Sequence, residues 1–436
     1  MDFSYLFLCY LVPLFLILAS GIWSFKTRHK NLPPGSFGWP LIGETIEFGS
    51  KPEKFVLHRM NKYSPDIFKT NILGEKMAVI CGPNGYKFLF TNEHTIFTPF
   101  VPYSMQKLFL SSAPRDLNFR ETVKNARGAP EFLKPEALVK YVGEMDSITQ
   151  QQMQTLWEGK DEVKAFSLAK SLTLILACHF FMGTEDLERV ARAISRFDDI
   201  KVGMHSVPVN FPGMNFHKAC KAAAAVNEES ISVICEKKAA MCRGEPMRDI
   251  VSHMIMASDD LGKVGERPDI YQKILAEQKE VAASKKPGEL LNWDDMQKMK
   301  YSWNVECEVM RLTPTIRATI RGTFREVMTD FTYAGYTVPK GWKTVDSTNM
   351  NPKYFPDPEK FDPSRYDEKN NLPAYAFTPF GVGPQPCLAQ QHSRMVVLTF
   401  IHNVVKKFKW KFQMKKITGD MIPSPEQGLL IRLYHH

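Results

Sequence analysis

Between residues 379 and 389 the chain sets two glycines and three prolines around one cysteine, Pro379-Phe380-Gly381-Val382-Gly383-Pro384-Gln385-Pro386-Cys387-Leu388-Ala389. Neither a helix nor a central strand runs through so many prolines. What remains is a tight loop. Gly381 and Gly383 let the backbone turn sharply and come close to a flat group, while Pro384 and Pro386 stiffen the approach and remove amide donors. The apolar run at 395–401 that follows reads as a buried helix behind the loop. Cys387 therefore faces backbone amides near a helix start, a setting that lowers a thiol's pKa and favours the metal-binding thiolate. Taken alone, the same cysteine reads more readily as a small buried apolar side chain.

Two further groupings bear on that choice. Met296, Met299, Trp303, Cys307 and Met310 recur at helical spacing, which sets Glu308 and Arg311 one turn apart on one face of a helix that must stop by Pro314. Downstream of the turn-rich stretch 351–358 comes Phe361-Asp362-Pro363-Ser364-Arg365. Arg365 is a second guanidinium available to complete a buried Arg-Glu-Arg network, whose charge-assisted bonds are costly to leave half made. The alternative for Glu308 and Arg311 is a solvated i,i+3 pair.

Taken together and in this order, the three motifs resemble those of the cytochrome P-450 haem-thiolate monooxygenases. The likeness runs from the hydrophobic N-terminus through the stretches 32–40, 132–138, 299–305 and 338–343. These stretches are similar to the plant terpenoid-oxidising branch that includes the β-amyrin 28-oxidases and, more distantly, the taxane hydroxylases. The resemblance implies a mainly α fold with small β-sheets (α+β). It implies a haem whose iron takes Cys387 as axial ligand, with Phe380 and Gly383 shaping the thiolate loop. By the same likeness Glu308, Arg311 and Arg365 lock the proximal side, and Arg127 serves a haem propionate. The implied reaction inserts oxygen into a C–H bond of a hydrophobic terpenoid, triterpenoid or taxane-like. The chain has no nucleotide site of its own, because Gly381-Val382-Gly383 lacks a third glycine and does not open a strand-to-helix turn. Electrons are expected from an NADPH-dependent reductase.

The largest departure from the family pattern is an absence. Such proteins carry a long central helix over the distal haem face, with an Ala/Gly-Gly-x-Asp/Glu-Thr pattern that relays protons to bound oxygen, and the sequence holds no such pattern. Where that helix should lie, residues 249–267 run directly into Pro268-Asp269-Ile270-Tyr271. The expected fold lacks the long distal helix, which at about 30 residues would span ~45 Å. The neighbouring stretch 269–285 has one narrow apolar face, Ile270, Ile274, Leu275 and Val281, and reads as a surface helix rather than a replacement. Gln385 stands where the family has an arginine for a propionate, and Ala389 where it usually has glycine. No residue is assigned to the proton relay. A second class of function is therefore a catalytically inactive or truncated paralogue that binds haem or ligand without turnover.

Residues 3–25 carry no charge and are long enough to cross a bilayer as a helix. Asp2 precedes them and Lys26, Arg28 and Lys30 follow, so the positive-inside bias turns the body toward the cytosol. A cleaved signal peptide would want a basic start rather than Met1-Asp2. Residues 1–30 are thus expected to be a single-pass anchor with its basic flank in membrane lipid, by resemblance that of the endoplasmic reticulum, and 31–436 a monooxygenase-like domain. At 436 residues and 44% hydrophobic content the body can bury a large core. Eight cysteines without a Cys-x-x-Cys pair argue against zinc ribbons and disulfide frameworks. The net charge of +9, with Lys406, Lys407, Lys409 and Lys411, suits anionic headgroups or an acidic redox partner. No recognition module for nucleic acid accompanies it, so nucleic acid is not an expected partner.

Overall fold

The computed structural model describes residues 31–39, 43–50, 52–72, 74–100, 106–108, 138–182, 186–204, 206, 209–242, 268–312, 321–367, 369–370, 372–382, 387, 389–412, 417–418, 424–425 and 429–435. The expected anchor at 1–30, Arg127, Gly383, Gln385 and the stretch 243–267 lie outside them. Among the described residues no helix is long and apolar enough to cross a membrane. The chain divides into two compact units, one of Met1–Phe100 with Gly322–Ser347 and the other of Val101–Arg321 with Thr348–His436.

The first unit is built on a five-stranded sheet. Strand Ile67–Ile72 pairs antiparallel with Glu75–Cys81, whose other edge takes Lys343–Ser347 in parallel. Because Glu75–Cys81 is paired on both edges, its last five residues are all buried and read as an unbroken apolar run rather than an alternation. Ile67, Ala78, Ile80, Leu89, Phe97, Val327 and Trp342 fill the core beneath it. The turn Ala334-Gly335, with φ of +48° and +81°, joins strands Phe331–Tyr333 and Tyr336–Val338. Two successive left-handed residues match the twist of such a hairpin, which is why this Ala-Gly string is not part of a helix.

The second unit is helical. The helices Val142–Leu156, Pro268–Ala283, Lys300–Leu312 and Gln390–Lys407 share one hydrophobic cluster. Residues 395–405 of the last are buried without interruption, so a helix apolar all round ends up enclosed on all sides. Its polar residues join the four helices. Asn403 donates to Asp146 Oδ1 at 2.7 Å, His402 Nδ1 lies 2.7 Å from Gln278 Oε1, and Gln278 donates to Ser302 Oγ at 2.8 Å. Each buried polar group on this path thereby finds a partner, which the low-dielectric interior demands. A three-stranded sheet, ordered Glu162–Lys164, Leu430–His435, Phe408–Phe412, belongs to the same unit.

Two details differ from the sequence reading. Pro268–Ala283 does bury Ile270, Ile274, Leu275 and Val281 on one face, but Tyr271 and Gln278 join them. Tyr271 satisfies its hydroxyl on the Phe408 carbonyl at 3.1 Å. The helical spacing from Met296 to Met310 is broken at Met299, which ends the short helix Trp293–Lys298. The next helix starts afresh because Glu277 caps it from its neighbour, accepting the Tyr301 and Ser302 amides at 2.6 and 2.9 Å. A carboxylate at a helix N-terminus satisfies orphan amides and meets the positive end of the helix dipole.

Candidate functional site

The last turn of Lys300–Leu312 sets Glu308 and Arg311 on one face, and both side chains are wholly buried. Arg311 grips the carboxylate in a two-toothed fork, Nε to Oε2 at 2.7 Å and Nη2 to Oε1 at 2.8 Å. Its remaining donors reach the Asn349 carbonyl at 2.9 Å and the Lys360 carbonyl at 3.3 Å, and the guanidinium lies 5.1 Å from the Phe355 ring centre. The solvated alternative for this pair does not describe the structure.

Arg365 joins from a short 3₁₀ turn, Pro363–Tyr366, nucleated by Asp362, which accepts the Ser364 amide at 3.1 Å. Bonds from Ser364 hold the Asp362 carboxyl below its ordinary pKa despite the opposing pull of burial. Arg365 donates Nε to Glu308 Oε1 at 3.3 Å and Nη2 to the Asp357 carbonyl at 3.0 Å. Glu308 also accepts the Asp362 amide at 2.9 Å and the Tyr366 hydroxyl at 3.2 Å. One buried carboxylate thus collects donors from two guanidiniums, an amide and a phenol, and so fixes the irregular segment 349–366 against the helix.

The loop bearing Cys387 begins at a turn in which the Gly381 amide donates to the Thr378 carbonyl at 3.0 Å. Gly381 has φ +71°, a conformation in which a side chain would clash. The Cys387 amide donates to the Phe380 carbonyl at 2.7 Å, closing the loop, and the helix beyond starts at Gln390 with Ala389 buried at its N-cap position. Phe380 and Trp303 have parallel rings, 10° apart with centroids at 6.4 Å. Trp303 was visible in the sequence only as one of a series of helical apolar positions.

The electrostatics of Cys387 depart from expectation. Burial pushes its thiol above the ordinary pKa, and the Ala389 amide opposes this only in part. Desolvation of the anion outweighs one amide dipole, so the free side chain is a neutral thiol at pH 7, and a metal cation must displace the proton to make the thiolate.

Among the described residues no group of three or more His, Cys, Asp or Glu could hold a metal ion. Cys387 is a free, half-buried thiol. A lone soft donor does not make a zinc site, which takes three or four protein ligands, or a calcium site, which takes several oxygen ligands. It does suit an iron whose other ligands come with a macrocycle, held from one side by a single thiolate. The Gly381 turn and the amide aimed at sulfur fit that group. The polar cavity of about 360 Å³ lined by Asp146, Lys285, His402, Asn403 and Lys406 includes none of these residues.

The family model described as Cytochrome P450 matches residues 260–433. The chain is 42% identical over 478 residues to a beta-amyrin 28-monooxygenase of Medicago truncatula, covering 99% of this chain and 98% of the relative. It is 40% identical over 485 residues to that of Kalopanax septemlobus, covering all of both. That alignment is longer than the 436 residues available here, so the relative has positions that this chain lacks. Among solved structures, a retinoic acid bound cyanobacterial CYP120A1 superposes with a TM-score of 0.78 at 25% identity, covering 93% of this chain and 99% of that one.

Proposed function

The chain belongs to the cytochrome P450 family of monooxygenases, which hold haem through a cysteine ligand, and from that premise we propose that it oxidises a C–H bond of a triterpenoid. The observation that carries the haem-binding part of this reading is the Cys387 loop, closed by the bond to the Phe380 carbonyl and followed by the Ala389 amide directed at sulfur. The substrate class rests on relatives named beta-amyrin 28-monooxygenase at 40–42% identity over nearly their whole length. Haem, when bound, supplies the activation of dioxygen.

The chain's own residues hold and shield it. Cys387 Sγ would hold the iron as its thiolate, with the Ala389 amide donating to that sulfur. Glu308, Arg311 and Arg365 fix the segment 349–366, and Phe380 and Gly383 set the path of the loop. Electrons come from an NADPH-dependent reductase. The working setting is the endoplasmic reticulum membrane, with residues 1–30 as anchor and 31–436 facing the cytosol. Arg127 serves a propionate, a need made greater by the uncharged Gln385.

A second reading, haem or ligand binding without turnover, is favoured by one specific observation. The full sequence has no Ala/Gly-Gly-x-Asp/Glu-Thr pattern to deliver protons to oxygen, and a relative aligned end to end has positions that this chain lacks. Both readings share the proximal site and differ only in turnover.

The deciding experiment takes the full chain in membranes with a haem precursor, first through a reduced carbon-monoxide difference spectrum and then through incubation with β-amyrin and a reductase. A thiolate-type band with oxidised product supports the monooxygenase. The band without product supports the second reading, and folded protein with no band refutes both.

A further inference from the structure

The stack on Phe380 does not end at Trp303. Arg394, on the second turn of the Gln390–Lys407 helix, sets its guanidinium carbon 5.1 Å from the Trp303 ring centre. Among the described residues no carboxylate lies within ion-pair distance of Arg394, and its Nε has no hydrogen-bond partner. Burial lowers its pKa. An arginine left half-buried without an anion is expensive unless something else compensates the charge, and a π face is the compensating group that the structure offers.

The three side chains come from three separate segments: Arg394 just after the thiolate loop, Trp303 on the Glu308 helix, and Phe380 at the loop's start. Because the Phe380 carbonyl receives the Cys387 amide at 2.7 Å, whatever fixes Phe380 also fixes the direction of the cysteine. We propose that Arg394 and Trp303 are positioning residues that clamp Phe380 and thereby hold Cys387 in the orientation of an iron ligand. The inference rests on the reading of Cys387 as that ligand. The clamp differs from the Glu308 network in kind. That network secures the 349–366 segment through a buried carboxylate, whereas the clamp acts on the loop through stacking, although both draw a residue from the Lys300–Leu312 helix.

The test uses the full chain in detergent as wild type, Trp303→Leu, Trp303→Phe, Arg394→Gln and Arg394→Lys. In haem-loaded protein, the rate at which the thiolate-type carbon-monoxide band converts to the thiol-type band is followed. In haem-free protein, the rate of Cys387 alkylation by iodoacetamide is read by peptide mass spectrometry. Melting temperature is recorded for each variant. Trp303→Leu and Arg394→Gln should speed both conversion and alkylation several-fold, with melting temperatures close to wild type. Trp303→Phe and Arg394→Lys, which keep a ring and a cation, should restore most of the difference.

Unchanged rates in the Gln and Leu variants would overturn the clamp. So would rates that merely follow melting temperature, because that is what a general packing role predicts. Should Trp303→Leu fail to fold, Arg394→Gln decides alone, since it removes a surface-reaching charge and little volume. If the wild type gives no thiolate-type band, the ligand reading fails, while alkylation of the haem-free protein still reports on the clamp.

Discussion

Replacing Glu308 by glutamine is the sharpest probe of the ion network. The substitution keeps size and shape but removes the charge that two guanidiniums and a phenol converge on. Its amide nitrogen, moreover, would face an arginine N–H, donor against donor. Arg311 would remain with no exposed surface and no anion, the situation in which breaking a buried pair costs about 3–5 kcal/mol. Against a net stability of ~5–15 kcal/mol that is a large share. Arg365 has a rim of solvent and its removal leaves Glu308 paired with Arg311, so Arg365→Met should cost only about 1–2 kcal/mol. The discriminating measurement is a double-mutant cycle by denaturant unfolding of the full chain in detergent. Glu308→Met with Arg311→Met should be less destabilised than the sum of the two singles by at least ~1 kcal/mol, since removing both charges leaves neither stranded. A Glu308→Gln cost below about 1 kcal/mol, or additivity within error, would mean that water or another anion reaches Arg311, and the reasoning would fail.

Other outcomes follow from the same geometry. Cys387→Ser should abolish the thiolate-type carbon-monoxide band and leave the unfolding midpoint nearly unchanged, as read by the spectrum and circular dichroism on one sample. His402 is buried and held neutral, its pKa pushed down from 6.5 to about 3, mainly by burial and then by Lys406. The unfolded chain therefore binds a proton that the folded chain refuses between about pH 6.5 and 3. Stability should fall as pH drops through that window, by up to a few kcal/mol, and His402→Gln should flatten the slope of unfolding free energy against pH there. Asp295 behaves as an ordinary paired acid. Burial raises its pKa, but Lys285 at 2.6 Å and the Asn292 amide outweigh this, so the folded pKa lies below 3.8. Its contribution is present above pH 4 and lost as pH falls further, and Asp295→Asn should remove that acid limb alone in a urea titration series.

The sequence made the parts of the site legible where they are local. The i,i+3 spacing of Glu308 and Arg311 was enough to place them on one helical face, and the glycines and prolines around Cys387 were enough to require a loop. Arg365 was visible only as a guanidinium available to the pair, because 54 residues separate Glu308 from the Asp362 amide it also accepts, and nothing local announces such a meeting. The remaining partners of Glu308 and Arg311, the Tyr366 hydroxyl and the Asn349 and Lys360 carbonyls, are set by how an irregular segment folds back. Backbone carbonyls leave no mark in composition. The break at Met299 was hidden for a related reason, since its cause, Glu277, caps the following helix from another one. For Cys387 the sequence pointed to amide dipoles that favour the thiolate, but it could not weigh them against burial, and burial wins.

The same long-range character explains how the thiolate side can be well formed in a chain that lacks the oxygen-activating pattern. The donors around Glu308 are contributed by residues 311–366, and the polar ties Asp146 to Asn403, His402 to Gln278 and Gln278 to Ser302 bind four helices directly to one another. Each of these bonds is complete within the pair that makes it, and none of them uses a residue between 243 and 267. The ties around Glu308 and among these four helices are therefore made without the segment 243–267. Grafting a segment that carries the family's oxygen-activating pattern between residues 242 and 268 should raise turnover of β-amyrin while leaving the Glu308→Gln destabilisation unchanged. If the graft instead altered that destabilisation by more than ~1 kcal/mol, the two halves would be coupled through packing, and the separation argued here would not hold.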